Sequence, residues 1–125
     1  MKYAVVGSRH GIPYVSVETI LEYLMKWAPC SELNMTSIVS GGCKSGVDAH
    51  AERFAREHDI PITVFPADWS MGRAAGPIRN TKIVQECAVI VAFWDGKSRG
   101  TADTIRKAEA ANKTVLKFIV NDETC

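Results

Sequence analysis

Apolar residues gather in five short runs along the chain: Lys2 to Val6, Ser37 to Ser40, Ile62 to Phe65, Ala88 to Trp94 and Thr114 to Val120. Most are rich in valine and isoleucine, with little polar alternation. A strand with one wet face alternates, so continuous runs predict parallel strands covered on both faces. Lys117 interrupts the last run and predicts an edge strand there. Between the runs, apolar positions recur at spacings of three and four. Ile20, Leu21, Leu24 and Met25 form one stripe, and Val47, Ala51, Phe54, Ala55 and His58 form a second. Pro61 restricts the residue before it, so the second helix stops near Asp59. Pro77 suits the first turn of a third helix, with Ile78, Val84 and Cys87 on its inner face. A fourth helix is predicted from about Thr101 to Ala111, with Ile105 and Ala108 inward and Asn112 ending it. Met25, Trp27 and His58 read as helix packing, and Trp94 as the structural end of a core strand.

Strand and helix thus alternate from end to end. This order predicts an α/β, Rossmann-like three-layer domain with a five-stranded parallel sheet in the order 3-2-1-4-5. Its switch point falls between the first and fourth strands, and ligands bind outside the carboxyl ends of strands there.

Composition narrows the partners. The 125 residues fit one domain spanning 1–125, and 46% are apolar, which excludes a disordered chain. A net charge of +1 gives no broad field for wrapping nucleic acid or docking on anionic lipid, so any anion site must be local. Cys30, Cys43, Cys87 and Cys125 form no CxxC pair and read as reduced thiols in a cytoplasmic protein. Cys43 and His50 lack the spacing of a zinc site, so no metal is expected. The apolar start, Tyr3 to Val6, is too short for a signal peptide or a membrane span.

The segments after the strands carry the chemistry. They are Gly7-Ser8-Arg9, then Ser40-Gly41-Gly42-Cys43-Lys44-Ser45-Gly46-Val47-Asp48, then Pro66-Ala67-Asp68-Trp69 through Gly76-Pro77-Ile78-Arg79-Asn80, then Asp95-Gly96-Lys97-Ser98-Arg99-Gly100-Thr101. Glycine lets backbone N–H groups approach a phosphate, and helix N-termini near Gly46 and Thr101 would add free donors and a positive dipole end. Arg9, Arg73, Arg79 and Arg99 fall in or beside these segments, and arginine matches phosphate bidentately. Asp48 could contact a ribose hydroxyl or complement the dipole of its helix. Trp69 could stack on a base, and His10 could reach the cleft. Arg79, read as lying in a first helical turn, opposes the dipole there, which suggests a purpose. Gly41 and Gly46 have P-loop spacing, but Val47-Asp48 replaces the required Lys and Ser/Thr, which excludes ATPase or GTPase chemistry. No GxGxxG follows the first strand, which disfavours an NAD(P) dehydrogenase. No cofactor is expected.

Taken together, Gly7-Ser8-Arg9, Ser40-Gly41-Gly42 with Gly46-Val47-Asp48, Ala67-Asp68-Trp69, Ala75 through Asn80, and Ser98-Arg99-Gly100-Thr101 resemble the YspA-type, YpsA-related branch of the SLOG superfamily. The resemblance runs over nearly the whole chain. It implies a Rossmann-like fold that binds nucleotides or NAD-derived ligands. Two relatives imply rival activities. LOG phosphoribohydrolases carry an Arg-Lys pair and a Gly-Thr-x-x-Glu sequence. Here Arg79 matches the arginine, Asn80 replaces the lysine, Gly100-Thr101 match the Gly-Thr, and the glutamate position falls on Thr104, beside Asp103. DprA shares Ser-Gly-x-x-x-Gly-x-Asp and binds single-stranded DNA, which needs a positive groove that a net charge of +1 does not supply.

Three functions are therefore in play. The first is binding of a nucleotide or ADP-ribose-like small molecule, as sensor, carrier or sequestering module. The second is N-glycosidic cleavage or transfer, with Arg79, Asp103 and Asp48 as candidate catalytic residues. The third, disfavoured, is single-stranded nucleic-acid binding. The expected ligand contacts are Gly7, Ser8, Arg9, Gly41, Gly42, Lys44, Gly46, Asp48, Asp68, Trp69, Arg79, Asn80, Ser98, Arg99, Gly100 and Thr101. A homo-dimer or higher homo-oligomer is expected for this kind of fold, with no membrane partner.

Overall fold

A computed structural model describes residues 1–27 and 34–119 of the chain. Its strands are β1 (Lys2–Gly7), β2 (Ser37–Ser40), β3 (Ile62–Val64), β4 (Val89–Trp94) and β5 (Thr114–Ile119). They form one sheet in the order β3-β2-β1-β4-β5, and every pairing is parallel. The helices are α1 (Tyr14–Trp27), α2 (Gly46–Glu57), α3 (Ala75–Glu86) and α4 (Arg99–Ala110), with a 3-10 segment at Trp69–Ala74 directly ahead of α3.

The pleat explains why the strands are apolar throughout, since neighbouring side chains point to opposite faces. Tyr3, Val5, Ile38, Val89, Val91 and Phe93 pack with Val17 and Leu21 of α1 and Val47 and Phe54 of α2. Ala4, Val6, Val39, Ile90 and Ala92 pack with Ile83 and Val84 of α3 and Ile105 and Ala108 of α4. Helices thus cover both faces, and each face needs its own apolar half of every central strand. A fully buried side chain such as Phe54 contributes about 1.5–3 kcal/mol to this core. β5 is an edge strand, with Lys117 exposed. Asp59 and Asn112 end α2 and α4 in the left-handed region, at φ 54° and 57°.

Three details differ from the sequence reading. First, α3 starts at Ala75, two residues before Pro77, because the 3-10 turn runs straight into it. Pro77 is still within the first turn, where an N–H has no partner in the helix. Second, Ile78 is exposed and Ile83 takes its place inside. At 100° per residue, Ile78 stands roughly 120° or more around α3 from both Ile83 and Val84. Third, Val17 joins Leu21 as a fully buried residue of α1, while Ile20, Leu24 and Met25 are partly buried. Cys87 is buried at the end of α3, and burial pushes its thiol up to about 12, so it is inert near neutral pH. Cys30, Val120, Cys125 and the side chain of Trp27 lie outside the described residues. Among the described residues, no helix is long and apolar enough to cross a membrane.

Candidate functional site

The carboxyl ends of β1 to β4 open into one cleft of about 610 Å³, inside the roughly 300–1,000 Å³ of ordinary ligand pockets. Each element delivers part of its lining. Gly7 and Arg9 follow β1, and Gly41, Gly42 and Lys44 follow β2, with Asp48 from the first turn of α2. Trp69 comes from the 3-10 segment, Arg79 and Asn80 from α3, and Ser98, Gly100 and Thr101 from the start of α4. The switch-point topology makes this convergence possible, because β1 and β4 are neighbours whose following helices leave on opposite faces.

Five of the expected residues do not line the cleft: Ser8, Gly46, Asp68, Arg99 and Asp103. Each has a physical reason. Ser8 is buried between strands. Its N–H donates to the Phe93 carbonyl at 3.1 Å, its carbonyl accepts from Val47 N–H at 3.2 Å, and its hydroxyl accepts from Asp95 N–H at 3.3 Å. It ties the end of β1 to β4 and α2. Gly46 sits at φ 73°, and a Cβ there would come within 2.4 Å of the Arg9 Cα. Only glycine lets α2 begin this close to the turn after β1. Asp68 turns back on its own segment, accepting from the N–H and hydroxyl of Ser70, and those bonds hold its carboxyl below the ordinary value. Arg99, the first residue of α4, is exposed and outside the lining. Burial raises the Asp103 carboxyl, but hydrogen bonds from Asn80 and Lys107 outweigh it and leave the group below the ordinary value. His10 is exposed and also outside the lining.

A polar chain spans the cleft. Arg79 Nη1 donates to the Gly41 carbonyl at 2.6 Å, and its Nε donates to Asn80 Oδ1 at 2.9 Å. Asn80 Nδ2 reaches both the Gly100 carbonyl at 3.2 Å and Asp103 Oδ2 at 3.1 Å. A Cβ on Gly41 would stand 2.6 Å from Arg79 Nη1, so this glycine is there for space. Arg79 is the fifth residue of α3, not part of its first turn, so the dipole argument for it lapses and these bonds replace it.

The glycine turn after β2 spends its first three amides on itself, and those of Lys44, Ser45 and Gly46 have no partner among the described residues. Gly42 N–H donates to Ser40 Oγ, and Cys43 N–H donates to Asp48 Oδ2 at 3.1 Å. Asp48 also accepts from Gly41 N–H. Burial pushes the Asp48 carboxyl up, against the opposing pull of those N–H groups and of Arg79. Ser45, the cap of α2, makes no side-chain capping bond. At α4 the arrangement is different. Asp95 Oδ1 takes the N–H groups of Lys97 and Ser98 at 2.8 and 2.7 Å. The next three amides, of Arg99, Gly100 and Thr101, have no partner among the described residues, and Ser98 makes no capping bond. Arg9 and Lys44 likewise have no ion pair or hydrogen bond among the described residues. The lining therefore holds three cations, Arg9, Lys44 and Arg79, against one carboxylate, Asp48.

Some lining residues were not among the expected ligand contacts. Cys43, Ser45, Pro66 and Ala67, inside the singled-out segments, and Ile83 and Thr104 also line the cleft. Thr104 was legible in principle, since it shares a helix face with Thr101 and Gly100. Its hydroxyl donates to the Gly100 carbonyl at 3.1 Å. Asp95, which organises the approach to α4, carried the signal of an Asp-Gly turn before a helix. His50 Nε2 lies 2.9 Å from the Ile12 carbonyl. Among the described residues no group of three or more His, Cys, Asp or Glu side chains could hold a metal ion.

This chain is similar to known proteins over part of its length. It is 36% identical over 88 residues to the Gene 61 protein of Mycobacterium phage D29, covering 65% of this chain and 70% of that protein. The sequence pattern of the YspA, cpYpsA-related SLOG family (YAcAr) matches residues 4–72, from β1 through the β2–α2 turn and into the 3-10 segment. That match spans more than half of the chain, and it includes both glycine-bearing turns that flank the cleft on this side, so the chain belongs to the YspA, cpYpsA-related SLOG family.

Proposed function

We propose that the cleft binds a phosphate-bearing nucleoside derivative, a nucleotide or an ADP-ribose-like molecule, and that the chain acts as a sensor, carrier or sequestering module. The observation that carries this reading is one cleft that gathers cations and amides without partners among the described residues: Arg9 and Lys44, and the first three amides of α4. In this reading the α4 N-terminus seats a phosphate, with its dipole and free N–H groups adding to the field. Arg9 and Lys44 neutralise the charge, and the remaining guanidinium nitrogen of Arg79 reaches it bidentately with its neighbour. Asp48 accepts from a ribose hydroxyl. Membership of the family is consistent with a nucleotide-related ligand.

Thermal unfolding tests the reading. Ligand at a hundred times Kd adds about 2.7 kcal/mol, a rise of several degrees in Tm. AMP and ADP-ribose are expected to give such a rise. No shift from either at millimolar concentration would overturn the proposal.

N-glycosidic turnover is the second reading, kept by one observation: Asp48, the carboxylate in the lining, is raised by burial, as catalytic acids are. The position that matches the catalytic glutamate of LOG enzymes is Thr104, and Asp103 is bound to Asn80, Arg106 and Lys107. Turnover would thus rest on Asp48. Chromatography of AMP incubations decides it: release of adenine that Asp48→Asn abolishes supports turnover, and no free base supports binding alone.

A further inference from the structure

The stretch between β3 and α3 is where the core leaves its side chains unused. Every residue from Asp68 to Ala74 is exposed, and the 3-10 segment buries none of its residues. It nevertheless carries two large apolar side chains, Trp69 at 59% and Met71 at 55% exposure. Both ends are fixed. Asp68 grips Ser70, and Ala75 is buried at the start of α3. Between them Gly72 adopts φ 73° and ψ −147°, a region that glycine alone enters without strain. At Gly41 and Gly46 crowding explains the missing Cβ, but at Gly72 nothing lies within 4 Å. Gly72 is there for its backbone, not for space. Arg73, the next residue, has no hydrogen bond or ion pair among the described residues.

We propose that residues 68–74 are a lid that turns at Gly72, lowers Trp69 onto a planar aromatic base of the ligand and brings Arg73 towards its anionic end. The inference rests on the nucleotide reading of the cleft and narrows it to base-bearing ligands. Trp69 already lines the cleft, so closure changes the rim and leaves both cores untouched. Stacking on an exposed indole tolerates any base, because every base offers a π face. Closure also removes the Trp69 indole from water, which explains why an otherwise well-packed fold displays it.

Trypsin reads the lid at the Arg73–Ala74 bond, with the cut site assigned by mass spectrometry and Tm followed in parallel. The free chain is expected to be cut there readily. Saturating AMP or ADP-ribose is expected to slow that cut at least tenfold, whereas ribose 5-phosphate, which has no base, raises Tm without slowing it. Trp69→Ala is expected to weaken AMP roughly tenfold or more and to lose the protection, while the exposed position keeps the Tm of the free chain unchanged. A rise in Tm with AMP while the Arg73–Ala74 bond stays as labile as before overturns the lid and leaves the nucleotide site standing. No rise with any of the three compounds overturns both.

Discussion

Arg79 is the residue on which the cleft turns. It donates to Gly41 from one nitrogen and to Asn80 from another, so it fixes the β2–α2 turn against α3 while lining the cleft. A lysine cannot make this fork. Arg79→Lys is expected to lower ADP-ribose affinity about tenfold or more, the worth of one charge-assisted bond of roughly 1.5–3 kcal/mol, as titration calorimetry would read it. At Gly46 the cost is steric. Alanine would drive a Cβ to 2.6 Å from the Ser8 carbonyl at a φ of 73°. Gly46→Ala is expected to cost about 2 kcal/mol or more in urea unfolding. Asp48 sets a pH dependence. Burial raises its folded-state pKa, so between the ordinary carboxylate value, about 3.9, and the raised one the folded chain holds a proton the unfolded chain has lost. Stability contributed by this group therefore falls as pH rises through that window. Urea titrations should show wild type losing stability relative to Asp48→Asn over the same interval, and a parallel pair of curves would contradict the assignment.

At the scale of elements, the loop before α4 behaves in the opposite sense. Hydrogen bonds from the N–H groups of Ser98 and Lys97 hold Asp95 below the ordinary value. Its contribution is complete above the ordinary value and is lost as pH falls through the folded one. Asp95→Ala is expected to cost about 1 kcal/mol and to remove that acid sensitivity, as chemical unfolding at two pH values would record. Most elements were legible in the sequence. Parallel strands covered on both faces must be apolar at every position, and Val89 to Phe93 is such a run; Asp59 before Ile60-Pro61 and Asn112 mark true helix ends. The start of α3 was not legible. Gly72, Gly76 and Pro77 punctuate the stretch as a loop would, and only the path from β3 back to the sheet makes Ala75 helical. Ile78 was misplaced for a different reason: at 100° per residue it stands about 120° around the helix from Val84 wherever the helix begins, so the two cannot share one face.

The whole molecule is nearly neutral, and what distinguishes it is where charge gathers rather than how much there is. The sequence located the segments that converge, because topology sends every loop after a strand to one edge. It could not apportion their hydrogen bonds. The glycine turn after β2 reads as a cradle of free amides, yet Gly41, Gly42 and Cys43 spend theirs on Asp48 and Ser40, and the amides without a partner among the described residues stand at Lys44 to Gly46 and at the start of α4. Which N–H groups are satisfied depends on where Asp48 points in three dimensions, and no spacing rule supplies that. Amide-resolved NMR during titration with AMP tests this most directly. Shifts concentrated at Arg9, Lys44 and Arg99 to Thr101, with β5 and the outer face of α1 silent, are the expected result. Saturable binding whose shifts lie away from the carboxyl edge of the sheet, or no shifts at all, would contradict it.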